Sequence, residues 1–391
     1  MKKTVAASLL LAALAMWAGG ASARTTLKTL HTFAGGKAGS RPLAPLVQGT
    51  DGNLYGTTFF TGNASGGGTV FKISTGGVFS ILHIFKGGTS DGWTPMSGLT
   101  EGTDGRFYGT TTAGGTYNMG IVYAVSATGA VSILHSFSGV DSVTGFDNGS
   151  GPVGGLLLAS DGNFYGTTYG GFGTVFRLSP SGAYSVLYGF SGLDGSGPED
   201  ALVEGQDGAL YGTTSAGGAT YSPGGSEGYG SVFRISLEGV LTSLYSFSGP
   251  DGSDPTASLA VAGDGFLYGS TEIGGVGSFG TIFSMSMTGS FDTLCSLASA
   301  APTAPGKPSG LTLGQDGNFY GTVQMGGLAS SGYGGVFKIT PSGQFTSLIT
   351  FNGKNGDTPV GGVVQGTDGS FYGTTSSGGR SDFGTVFKLT Q

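Results

Sequence analysis

Asp51-Gly52-Asn53-Leu54-Tyr55-Gly56-Thr57-Thr58, followed by Val70-Phe71-Lys72-Ile73, is the stretch that decides the fold, because the chain spells it seven times. The marking tyrosines are Tyr55, Tyr108, Tyr165, Tyr211, Tyr268, Tyr320 and Tyr372, separated by 53, 57, 46, 57, 52 and 52 residues. Five copies read Tyr-Gly-Thr-Thr; the fifth carries Ser270 and the sixth Val323. A repeat of this period with strand-like content belongs to radial or solenoid architectures.

Each copy reads as four strands. In the first, strand a holds Leu46-Val47-Gln48 and ends at the Asp51-Gly52 turn. Strand b starts at Leu54, strand c spans Thr69 to Ser74, and strand d spans Val78 to Phe85. Period-two alternation, β-branched and aromatic residues and Gly/Asp/Asn punctuation support all four. The expected fold is therefore all-β, a seven-bladed β-propeller of four-stranded antiparallel blades. The last copy stops after strand c, Val386-Phe387-Lys388-Leu389, while an orphan strand d, Leu27-Lys28-Thr29-Leu30-His31-Thr32-Phe33, precedes the first. Their pairing would close the ring and remove the open edges of a solenoid.

Composition narrows the function classes. Glycine is 82 of 391 residues, but it recurs at fixed places in each copy, unlike the aperiodic glycine of disordered chains. Only 10% of residues are charged, and the formal net charge is −7. An acidic, lysine-poor surface argues against nucleic acid and anionic membranes as partners. At the N-terminus, Lys2-Lys3, an apolar run to residue 18 and Ala21-Ser22-Ala23 read as a signal peptide over 1–23. Residues 24–391 are then one propeller domain, exported to the periplasm or the exterior. Cys295, the lone cysteine, reads as a buried filler, and no disulfide can form within the chain.

The repeated residues resemble the GloVer tandem repeat of exported bacterial proteins. The shared motif is a leucine, an Asp-Gly turn, Tyr-Gly-Thr-Thr, Gly-Gly and Val-Phe-Lys, as in Leu46, Asp51, Tyr55 to Thr58, Gly66-Gly67 and Val70 to Lys72. The resemblance implies an exported repeat protein of uncharacterised activity and offers no catalytic residues to carry over. Nothing hydrophobic or sorting-like follows Leu389, so release or periplasmic residence is expected as readily as surface attachment.

Comparison of copies within the chain separates framework from function. The turn aspartates recur in every copy. Lys72, Arg177, Arg234, Lys338 and Lys388 share one strand-c position. These residues are expected to bond one another through charge-assisted hydrogen bonds. The a–b and c–d turns are uniform and lie on one face; the b–c loops and the d-to-a links vary and lie on the other, where binding is expected. There, Asp91, Asp194 and Asp251 belong to a repeated Asp/Asn-Gly-x-x-Pro entry that turn chemistry explains, though a ring of such oxygens would also suit sugar hydroxyls. Trp93 is a candidate stacking platform for a sugar ring.

Glu101 and Glu204 on strand a are expected either to line the channel or to be solvated there. Glu199, Asp200, Glu227 and Glu272 lie near the variable face, where a pair of carboxylates would serve glycoside hydrolysis. No metal site, cofactor motif or catalytic triad emerges, and the three histidines fall on outer strands. The leading reading is a monomeric, non-catalytic binder of a polysaccharide or cell-surface protein. A polysaccharide hydrolase or lyase, and a structural envelope component, are the alternatives.

Overall fold

The computed structural model describes residues 25–61, 66–139, 148–297, 306–326 and 332–391; the signal-peptide region lies outside them. Seven antiparallel sheets form the blades of a β-propeller. Blade 1 is representative, with strand a at Val47–Gln48, b at Leu54–Thr58, c at Thr69–Ile73 and d at Phe79–Ile84. Blade 7 takes its strand d from Thr26–Thr32, which pairs antiparallel with Thr385–Thr390, Thr26 lying opposite Thr390. The ring is thus closed by strands from both ends of the sequence, as the matched incomplete copies predict. Two features extend the sequence reading: Gly306–Pro308 adds a strand to blade 6, and Gly92–Trp93 pairs with Ala113–Gly114 in a small ribbon.

Each residue of the repeated phrase has a job in this architecture. In all seven blades the strand-b tyrosine hydroxyl donates to the turn aspartate four residues earlier, as Tyr55 does to Asp51 (2.8 Å) and Tyr372 to Asp368 (2.7 Å). The glycine after it is obligatory for packing, since a Cβ on Gly56 would stand 2.6 Å from the Phe71 ring. The first threonine links blades: Thr57 donates to the Ser97 carbonyl of the next strand-a entry (2.9 Å), and Thr374 does so across the closure to Ala44. The second ties strand b to the start of strand c, as in the 2.8 Å contact of Thr58 with Thr69. Where strand b opens on phenylalanine, the preceding blade's tyrosine stacks on it, Tyr55 on Phe107 at 3.8 Å.

The strand-c cations complete this framework. Lys72, Arg234 and Lys388 reach Asp51, Asp207 and Asp368, while Arg177 and Lys338 act on Asp161 and Asp316 through charge. Blade 2 has Ala124 at this position, and Arg106 from the turn reaches Asp104 instead. Cys295 packs half-buried against a blade 5–6 core, and burial pushes its thiol up.

Candidate functional site

The d-to-a links and b–c loops meet on the variable face through one main-chain device, present in all seven blades. The residue before the link proline donates its N–H to the carbonyl of the residue that precedes the glycine before strand c. The pairs are Arg41 to Phe383, Thr94 to Gly67, Gly151 to Met119, Gly197 to Phe172, Asp254 to Tyr229, Lys307 to Phe279 and Thr358 to Tyr333. The pre-proline residue is left-handed in every blade, and in five it is not glycine: Arg41, Thr94, Asp254, Lys307 and Thr358, with φ from 51° to 58°. Such backbone costs a non-glycine residue on the order of 1 kcal/mol.

The residue after each proline faces the channel. Leu43, Met96, Val153, Thr256, Ser309 and Val360 are uncharged, and Glu199 is the exception. With Asp200, Glu272 and Gln324 they line an axial cavity of about 410 Å³. Its polar side is held by blades 4 to 6. Lys307 donates to Glu272 at 2.6 Å, and Asp200 is half-buried, accepting from the Ser258 backbone and hydroxyl. Burial first, then Glu272, pushes the Asp254 carboxyl up to about 6, with Lys307 opposing. Burial also raises Glu199, against a hydrogen bond from Ser215, with Asp254, Glu272 and Asp200 adding to the rise.

The other singled-out residues fall elsewhere. Glu101 and Glu204 sit at the turn-face end of strand a, away from Glu272, and clasp the preceding blade. Glu101 accepts from the Thr50 N–H at 2.9 Å and from its hydroxyl; Glu204 accepts from the Ser160 N–H at 2.8 Å and from its hydroxyl. Gln365 and Gln48 do the same for Gln315 and Thr367. Asp91 accepts from the Lys86 and Gly92 N–H groups and contacts His83 Nε2 at 3.1 Å. Asp194 and Asp251 accept from Ser191 and Ser248 and from the hydroxyls of Tyr188 and Tyr245. Their oxygens are occupied in holding the link to strand d. Trp93 is half-buried, its ring lying over Gly87. Among the described residues, no three His, Cys, Asp or Glu side chains converge in a metal-binding arrangement.

The variable face is also where apolar side chains stand out. Of thirteen large ones exposed among the described residues, only Val78, Val240, Phe266 and Leu313 lie on the turn face; the other nine lie on the variable loops and links. Three of these, Met119, Phe172 and Tyr229, are 42%, 41% and 41% exposed and occupy the carbonyl position of the main-chain device. Each rests on a glycine just past strand d: a Cβ on Gly139, Gly192 or Gly249 would come within 3.3, 3.1 and 3.4 Å of them. Tyr333 covers Gly353 likewise, and in the first blade, where the position is Gly67, Trp93 covers Gly87.

A sequence-family model described as the Gloeobacter/Verrucomicrobia repeat matches residues 20–147, 142–307 and 219–391. The chain belongs to this family. No curated protein sequence matches it. Solved structures share the fold at low identity. An extracellular domain from B. thetaiotaomicron assigned to the hybrid two-component system BT3049 aligns with TM-score 0.58 and 13% identity over 90% of this chain and 40% of its own. A second such domain, from BT4673, gives TM-score 0.58 and 13% identity over 94% and 42%. The repeat chain therefore spans about two fifths of these relatives. A Bacteroides uniformis protein assigned as a 6-phosphogluconolactonase aligns with TM-score 0.50 and 14% identity over 81% and 87%.

Two parts of the site are neither repeated acids nor singletons. Asp254 carries no repeat signal, because only its neighbour Asp251 fits the Asp-Gly-x-x-Pro pattern. The residue-Gly pairs before strand c, Met119-Gly120, Phe172-Gly173, Tyr229-Gly230, Phe279-Gly280, Tyr333-Gly334 and Phe383-Gly384, are legible once the Gloeobacter/Verrucomicrobia repeats are aligned on Val-Phe-Lys.

Proposed function

We propose that this chain is an exported, non-catalytic propeller, monomeric and periplasmic or extracellular, that binds a glycan through its variable face. One observation carries the reading. The repeated side chains are spent on holding blades together, whereas the face where the copies differ combines half-exposed aromatic rings with a cavity of mixed polarity. Binding sites are typically concave and mainly apolar, with a few placed polar groups. Trp93 and Glu272 remain the ligand contacts to test first. Asp91, Asp194 and Asp251 support the loops, and Glu101 and Glu204 support the ring. A glycan array with a parallel pull-down of surface proteins tests this: Trp93→Ala and Glu272→Gln should reduce a glycan signal, and an empty array would count heavily against it.

Asp254 favours a second reading. A carboxylic acid that keeps its proton toward neutral pH, next to a second carboxyl group, suits the general acid of glycoside hydrolysis. Turnover of a polysaccharide that disappears with Asp254→Asn and with Glu272→Gln would place this reading first.

A further inference from the structure

We infer that the glycan is a linear polymer of uncharged sugars, lying across the loops of blades 2 to 4 on a track built from Met119, Phe172 and Tyr229. This rests on the glycan-binding reading and adds to it the ligand's charge, its polymeric form and the residues that grip it.

The three side chains are equivalent by construction. Each precedes the glycine before strand c, accepts the next link's N–H through its carbonyl, and rests on the glycine beyond strand d. Adjacent blades therefore present the same apolar contact at a fixed spacing and rotation, which matches a ligand that itself repeats. The surface is continuous between blades 3 and 4, because the Tyr221 ring meets Phe172 edge-on at 6.0 Å. Half-exposed rings suit the C–H faces of pyranoses, which are apolar while their edges carry hydroxyls; the hydroxyls of Thr220, Ser222 and Ser226 accept N–H groups of their own loop and keep their hydrogens to donate to such an edge.

Charge selects among polymers. The described b–c loops of blades 2 to 4, from 112 to 120, 169 to 173 and 215 to 230, hold Glu227 and no lysine or arginine, and among the described residues of the adjoining links the one cation is Lys86, at the blade 2 end. The link that follows carries Asp251 and Asp254. Beyond Lys86 at one end, a polyuronate or sulfated glycan would meet like charge with no cation along the blade 3 and 4 loops, and like-charge juxtaposition is strongly disfavoured.

Affinity electrophoresis in soluble β-glucan, xyloglucan and mannan, with polygalacturonate alongside, tests the inference. An oligosaccharide ladder in calorimetry follows for whichever polymer retards the protein. The expected result is retardation by a neutral polymer, none by polygalacturonate, and affinity that climbs from disaccharide to tetrasaccharide. Phe172→Ala and Tyr229→Ala should each weaken binding about tenfold, as loss of an aromatic contact allows. Because either truncation could loosen a loop, Met119→Trp provides a gain-of-affinity variant, and Val240→Ala on the opposite face should change nothing. Binding that is independent of length and unmoved by these variants, but lost with Glu199→Gln, would overturn the track while leaving a glycan site in the axial cavity. Retardation by polygalacturonate alone would also overturn it. Absence of any glycan binding would remove both readings.

Discussion

At Asp254, burial and Glu272 raise the carboxyl to about 6, above the ~3.9 of an unfolded chain. The folded protein therefore holds this proton more tightly. Its contribution to stability is fully present below about pH 4 and is lost as pH rises through 6. Asp254→Asn should raise Tm at pH 7 to 8 and flatten the Tm–pH curve between 4 and 7, measured by calorimetry. The turn aspartates behave oppositely. At Asp368, burial would raise the carboxyl, but Lys388, Tyr372 and the Ser370 N–H together hold it down at about 2. Stability from this group is present above about pH 4 and falls away toward pH 2. Asp368→Asn should accordingly blunt acid unfolding in that lower window. Replacing the hydroxyl donor instead, Tyr211→Phe, should cost about 0.5–1.5 kcal/mol in urea titration by leaving Asp207 one hydrogen bond short.

Among elements, strand a is the weakest piece alone, two residues per blade, and it is held from both sides. From outside comes the strand-b threonine of the preceding blade, and toward the turn face comes the Glu/Gln clasp. Blades 1 and 7 already clasp with Gln48 and Gln365, so Glu101→Gln and Glu204→Gln should stay within about 0.5 kcal/mol of the parent. Thr374→Val, which strips a buried donor from the Ala44 carbonyl at the ring closure, should cost about 1–3 kcal/mol. The sequence made the strands legible because alternation and turn residues are local signals. It also made the strand-c cation and turn-aspartate pairing legible, since both members recur. The roles of Glu101 and Glu204 were not, because a residue that bonds the preceding blade's turn looks the same in sequence as one facing a channel. Asp254 was hidden for a related reason: its environment comes from Glu272 and Lys307, on neighbouring segments that pattern does not connect.

For the whole molecule, closure depends on Thr26–Thr32. Without it, the Thr385–Thr390 strand would become an open edge and Phe33, wholly buried with Phe71 and Val386, would be lost from the seam core. Deleting residues 25–33 should lower Tm sharply and produce concentration-dependent aggregation, read by light scattering. The seven-copy repetition was plain in the sequence, and so was the number of blades. The asymmetry of the variable face was legible only as differing loop lengths; which rings are exposed depends on packing between segments that pattern does not connect, since Tyr333 has the same glycine seat as Tyr229 yet packs against the blade 6–7 core.

Those seats and the pre-proline bridge have an engineering consequence. Because every b–c loop is fastened by the same carbonyl-to-amide bond, and those of blades 2, 3, 4 and 6 also by a side chain seated on a glycine past strand d, loops of these blades are interchangeable cartridges. The blade 4 segment from Ser215 to Tyr229 should transplant between Thr168 and Gly173 of blade 3 and find the same socket. Duplication and exchange of blades would then reshuffle the recognition face while leaving the turn-face framework untouched, so diversity in such a ring can accumulate by recombination as well as by point substitution.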